Sequence, residues 1–185
     1  LNQEVVNRKE EEKQELVSLV KLMRRNLELA EQLCVTLAEE LDFVKTYIDL
    51  ERRSLGATFH PVIEIAGDVL PESVWLPSMM IQIPVENSVK HALRGKEGKR
   101  NLWIAADRRE GGVCIRITDN GGGYHPESRN RGTGTGMKVI MQTIQILNMK
   151  NQAAIDISVH NVTLPSGETG CEVTFLLPDK YDYRI

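Results

Sequence analysis

The chain has 185 residues, 41% of them hydrophobic and 26% charged, with a formal net charge of −3. That size suits one domain with a helical appendage, the composition excludes a disordered chain, and the charge argues against a general nucleic-acid binder. No run of about 18 apolar residues occurs, so no membrane span is predicted, and the opening LNQEVVNRKEEEKQEL lacks the marks of a signal peptide.

Residues 1–55 contain neither Gly nor Pro and are rich in Glu, Lys, Leu and Arg, all good helix formers. Leu16, Leu19 or Val20, Met23, Leu27, Ala30 and Leu33 or Cys34 recur at steps of three and four, which predicts a first helix. Thr36-Leu37-Ala38-Glu39 then matches a capping box and restarts the pattern as Leu37, Leu41, Val44, Ile48 and Leu55. The reading is two helices joined by a tight connection near residues 33–36. Such a pair cannot bury its apolar stripe alone and needs a partner surface, a second copy of itself being one candidate.

Gly56 opens a different texture, and a boundary is drawn there: residues 1–55 as a helical segment, 56–185 as a second domain. Residues 62–66 form a strand candidate. Residues 102–107 and 113–118 read as strands joined across Arg-Glu-Gly-Gly, a hairpin signal. Residues 154–159 and 172–177 read as another pair, with a turn inside LPSGETG. Helices are predicted over 77–93 and 136–148. A mostly antiparallel sheet with helices on one face is an α+β, two-layer sandwich. Cys34, Cys114 and Cys171 are an odd, widely spaced set, read as buried thiols rather than a disulfide framework or zinc site.

The helix over 77–93 carries the first chemical signal. Placed on a wheel, Glu86 shares an arc with Gln82 and Lys90, continued by Asn87 and His91, while Ile81, Val85, Val89 and Ala92 lie opposite. Pro77 suits a first helical turn, and Pro84 inside the helix would bend it. A carboxylate, an amide, an ammonium and an imidazole on one face suit a metal–phosphate ligand, Asn being a good oxygen donor for Mg²⁺. A solvated amphipathic face is the plain alternative.

The second signal is IRITDNGGGYHPESRNRGTGTGM. Asp119 keeps the parity of Ile117 and so is expected on the helix-covered side of its strand. Gly121 and Gly123 would let the backbone turn sharply and approach a flat ligand. Arg129 and Arg131, in the polar stretch that follows, could reach phosphate oxygens. Gly132, Gly134 and Gly136 then lead into a helix start, a pattern suited to anions. GTGTG is neither the Walker pattern nor the dinucleotide fingerprint; the informative feature is the order of the segments.

That order resembles the ATP-binding domain of the GHKL superfamily, shared by sensor histidine kinases, Hsp90, type II topoisomerases and MutL. LPSMMIQIPVENSVKHAL resembles its N box, DNGGG its first glycine box and GTGTGM its second. The helix VTLAEELDFVKTYIDLERRSLG makes LytS-type sensor histidine kinases the nearest resemblance. The resemblance covers residues 35–178 and implies the Bergerat fold with ATP and Mg²⁺ as ligands. It implies Asn87 as a Mg²⁺ ligand, Glu86 as a catalytic residue beside the metal and its water, and Lys90 and His91 facing the phosphates. Asp119 would bind the adenine amine, Gly121 and Gly123 would shape the pocket, and residues 121–135 would form a mobile lid. Arg131, Gly132, Gly134 and Gly136 would meet the phosphates. Thr174 would stand near the adenine, a core-facing strand threonine being the alternative.

One departure stands out. Kinases of this type carry their phosphoacceptor in a motif like NPHFLFN before the ATP domain, and nothing like it is present. The histidines are His60, His91, His125 and His160. The resemblance therefore implies a kinase region that passes the γ-phosphoryl group to a histidine absent from this chain, for relay to a response regulator, and that cannot phosphorylate itself. It further implies a homodimer through the N-terminal helices and the cytoplasmic portion of a membrane-bound bacterial sensor. An anti-sigma-like, nucleotide-binding regulator that docks on a partner is the second reading of the same boxes.

Overall fold

In the computed structural model, which describes residues 2–31, 33–124 and 135–184, the Gly-free opening folds as helix α1 (Asn2–Glu31). A short strand, β1 (Cys34–Thr36), leads directly into helix α2 (Leu37–Leu55). Thr36 caps α2: its hydroxyl oxygen accepts from the Glu39 amide at 3.2 Å, satisfying a donor that a helix start leaves bare. Gly56 ends α2 with φ at 74°, a conformation that side-chain-bearing residues avoid. The restart at Thr36 is as expected; the connection is a strand, paired antiparallel with β3 (Trp75–Pro77).

The main sheet has five strands: β2 (Phe59–Ile65), β4 (Arg100–Arg109), β5 (Gly112–Asp119), β6 (Asp156–Thr163) and β7 (Thr169–Pro178). Their order is β2-β4-β5-β7-β6, with β2–β4 parallel and the other pairs antiparallel. Alternation sorts its two faces. Leu102, Ile104 and Ala106 of β4, Val113, Ile115 and Ile117 of β5, and Phe175 and Leu177 of β7 are buried together on one side. The other side is polar: Arg116 pairs with Asp107 at 3.8 Å, and the Thr118 hydroxyl donates to Glu172 at 2.9 Å.

Three helices cover the apolar face: α2, α3 (Gln82–Asn87) with its continuation Ser88–Leu93 as a wider π turn, and α4 (Thr135–Asn148). The α+β sandwich with helices on one face is therefore the observed fold. The helix predicted over 77–93 starts only at Gln82, because Pro77 belongs to β3 and Met79 turns the chain at φ 70°. Pro84 thus falls in the first turn, where a missing amide costs little, and not in the interior.

Packing also crosses the boundary drawn at residue 55. Leu37, Leu41, Phe43, Val44 and Ile48 of α2 join the same buried cluster as Val85, Val89, Ile115 and Phe175. The α2 stripe is thus covered from within the chain, by α3 and the sheet. On α1, by contrast, side chains 3–17 are all exposed. After β7 the chain crosses the end of α4: the Tyr181 hydroxyl donates to Asn148 at 2.6 Å, and the Asp182 amide to Asn151 at 2.7 Å. The Cys34 thiol lies 3.8 Å from the Tyr183 carbonyl, so this tail also meets the α1–α2 junction.

Candidate functional site

Asp119 closes β5 and is 3% exposed. Strand parity puts it on the helix-covered side, as expected. One oxygen accepts from the Gly121 amide at 2.9 Å, and the other from the Ser88 hydroxyl at 2.8 Å. Burial pushes its pKa up; the Gly121 amide, the Ser88 hydroxyl and the Cys171 amide pull it back down. Among the described residues no cation balances it, so its remaining lone pairs are suited to N–H donors from a neutral ligand edge.

The ladder places a polar row beside it. Asp119 is level with Cys171 on β7, and Cys171 with Asn161 on β6. Burial raises the Cys171 thiol to about 11, with the Asp119 carboxylate adding to the effect. Asn161 grips the backbone of Tyr124, accepting from its amide at 2.6 Å and donating to its carbonyl at 3.2 Å. Gly170 makes this row possible, since a Cβ there would sit 1.9 Å from the Asp119 carbonyl oxygen.

The polar arc of α3 is graded by depth. Gln82 is buried, Glu86 and Asn87 are half-buried, and Lys90 and His91 are exposed. The Gln82 amide donates to one oxygen of Glu86 at 3.1 Å, while Lys90 approaches the other at 3.8 Å. The Glu86–Lys90 pair, four residues apart on the helix, is solvent-facing and worth a few tenths of a kcal/mol. Ser88 begins the π turn and points to Asp119, joining the two boxes through one hydrogen bond.

The glycines act partly through packing. A Cβ on Gly121 would lie 2.3 Å from the Ala92 Cβ, so this glycine lets the β5 turn seat directly on α3. Gly123 has φ at 89° and faces Asn161. A Cβ on Gly136 would approach Ile83 to 2.8 Å, so the start of α4 rests on α3 as well. Arg129, Arg131, Gly132 and Gly134, and most of the expected lid, lie outside the described residues.

Thr174 does not belong to this constellation. It is level with Arg116 and Ser158 and shares the parity of Glu172 and Leu176, so it occupies the helix-free face of the sheet. Neither the adenine-side nor the core-facing reading of it holds; Cys171 has the place beside Asp119. A cavity of about 430 Å³ lies elsewhere, on the α1–α2 seam between Glu12, Glu15, Leu16, Leu50, Arg53 and Ser54.

The residues fit a nucleotide with Mg²⁺. Among the described residues no group of three His, Cys, Asp or Glu gathers as a metal cage. Mg²⁺ needs none, since it keeps waters and takes one or two protein oxygens plus phosphate. Glu86 and Asn87 offer such oxygens at the half-buried rim, and the buried Asp119 supplies an acceptor at the other end.

The family model for histidine kinase-, DNA gyrase B-, and HSP90-like ATPases matches residues 77–181, and a histidine kinase model matches residues 1–59. Sensor protein LytS of Bacillus subtilis (strain 168) is 29% identical over 175 residues, covering 88% of this chain and 28% of LytS. LytS of Bacillus anthracis is 27% identical over 176 residues, covering 89% and 28%. The chain thus spans less than a third of the length of these relatives. The histidine kinase domain of the Erythrobacter litoralis EL346 blue-light activated kinase superposes with a TM-score of 0.56 at 13% identity, covering 89% of this chain and 74% of that one. Histidine kinase ThkA, in complex with the response regulator protein TrrA, superposes with a TM-score of 0.51 at 12% identity, covering 89% and 48%. At such identities the likeness concerns the fold.

Proposed function

Because the chain belongs to the family of histidine kinase-, DNA gyrase B- and HSP90-like ATPases, we propose that it binds ATP with Mg²⁺ as the catalytic region of a sensor histidine kinase. The observation that carries this reading is the buried Asp119, held by Ser88 and the Gly121 amide with no cation beside it among the described residues. Asp119 accepts the exocyclic amine of adenine. Cys171 and the Gly121 turn border the ring. Asn87 and Glu86 hold the metal at the rim, Glu86 also orienting its water. Lys90 and His91 face the phosphates, joined by Arg131 and by the backbone amides of Gly132, Gly134 and Gly136.

Held by Asn87 and Glu86, Mg²⁺ would supply charge neutralisation for a phosphoryl transfer that rests on positioning and electrostatics. The γ-phosphoryl passes to a ring nitrogen of a histidine outside residues 1–185, with ADP as the leaving group. A response regulator then takes it, as the ThkA complex suggests by its composition. Residues 1–59 contain no histidine; the first, His60, lies on β2.

Calorimetric titration with ATP, with and without Mg²⁺, tests the reading on the parent, Asp119→Asn and Asn87→Ala. The parent binds, Asp119→Asn loses about a hundredfold or more in affinity through a mispaired buried group, and Asn87→Ala loses the Mg²⁺ dependence. Binding by Asp119→Asn equal to the parent would remove the reading.

A further inference from the structure

The face of α2 that meets α3 is polar where a core helix would ordinarily place leucine. Glu40, Tyr47 and Glu51 recur at steps of seven and four, on one side, and all three are buried. Each addresses a different part of α3. Glu40 Oε1 accepts from the amides of Ile81 and Gln82, both at 3.2 Å, at the start of the helix. Glu51 takes Arg94 at 2.8 Å just beyond its end. Between them the buried Tyr47 hydroxyl lies in the field of the Glu51 and Glu86 carboxylates.

Glu40 is the unusual member. It is fully buried, and its Oε2 has no hydrogen-bond partner among the described residues. A buried carboxylate is a costly way to satisfy two amides. Its connections run toward the nucleotide: Glu40 fixes Gln82, and the Gln82 side chain holds Glu86 at 3.1 Å.

We propose that Glu40 is a positioning residue for the metal end of the site, setting the placement of α3 and thereby of Glu86 and Asn87. This rests on the nucleotide reading above. It makes α2 a working part of the site rather than a leader to it.

The test is ATP and Mg·ATP affinity by calorimetry, beside melting temperature, for the parent, Glu40→Ala and Glu40→Gln. Glu40→Ala weakens Mg·ATP binding about tenfold while metal-free ATP changes by less than about twofold, because losing a charged acceptor displaces only this end of the site. Glu40→Gln keeps an acceptor for both amides and restores the parent affinities. Glu40→Ala binding Mg·ATP like the parent, or losing affinity equally with and without metal, overturns the proposal. If Glu40→Ala does not fold, Glu40→Asp, whose acceptor is drawn back by one methylene, must show the same metal-selective loss, and parental affinities overturn the proposal. A parent that binds no ATP overturns the nucleotide reading and this inference together; a parent that binds beside an unaffected Glu40→Ala overturns this inference alone.

Discussion

Ser88 is a small residue with two jobs, opening the π turn and donating to Asp119. Removing its hydroxyl leaves the buried carboxylate one donor short, at a cost of about 1.5–3 kcal/mol for a hydrogen bond to a charge. Ser88→Ala should therefore weaken metal-free ADP binding about tenfold or more at neutral pH. The pH dependence should shift too. Asp119 already titrates above its ordinary value through burial. ADP affinity falls as pH drops through that raised pKa, and in Ser88→Ala the fall begins at higher pH. Affinities measured at several pH values check both; superimposable curves would sink the idea.

Glu40 offers the complementary experiment on stability. Burial raises its pKa, opposed by the amides of Gln82 and Ile81. A group whose folded pKa lies above its unfolded value favours the fold most when protonated. The parent should gain melting temperature relative to Glu40→Gln as pH falls from neutrality toward 4.5, the carboxyl's ordinary value. A difference that stays flat over that range would refute the assignment. Of these residues, Asp119 was legible from strand parity alone. Thr174 could have been placed correctly by the same rule, since Val173, Phe175 and Leu177 set the core phase and Thr174 is out of it. Ser88 and Glu40 carried no signal, because their partners sit 31 and 41–42 residues away.

At the scale of elements, the capping box and the stripe from Leu37 to Ile48 announced α2 and its buried face. What a stripe does not state is what covers it. Here the cover is α3 and the sheet, so α2 is structurally part of the second domain. Phe43→Ala should cost about 3–5 kcal/mol, as expected for emptying a buried aromatic site, whereas removing residues 1–33 should leave the melting temperature within about 2–4 °C, a change near 1 kcal/mol. Denaturation of both proteins checks the contrast. The helix over 77–93 was legible in its polar arc and misplaced in its start, because Pro77 satisfies a strand end as readily as a first helical turn.

For the whole molecule, the sandwich followed from alternating strands and two periodic helices, while the strand order did not, since no local feature tells β7 to enter between β5 and β6. At the start of α1, Val5, Val6, Leu16 and Val17 are exposed, which suits the homodimer through the N-terminal helices that the resemblance implies. Analytical ultracentrifugation should give a concentration-dependent doubling of mass, weakened by Leu16→Glu; a monomer at every concentration would count against it.

The placement of β7 has a consequence for how the protein is made. This strand, ending at Pro178, completes the centre of the sheet, and the tail after it reaches back to Cys34. On a ribosome adding about 5–20 residues per second, most of the chain emerges before its middle strand has its second neighbour. During those seconds the edge of β5 that β7 will pair with stays open.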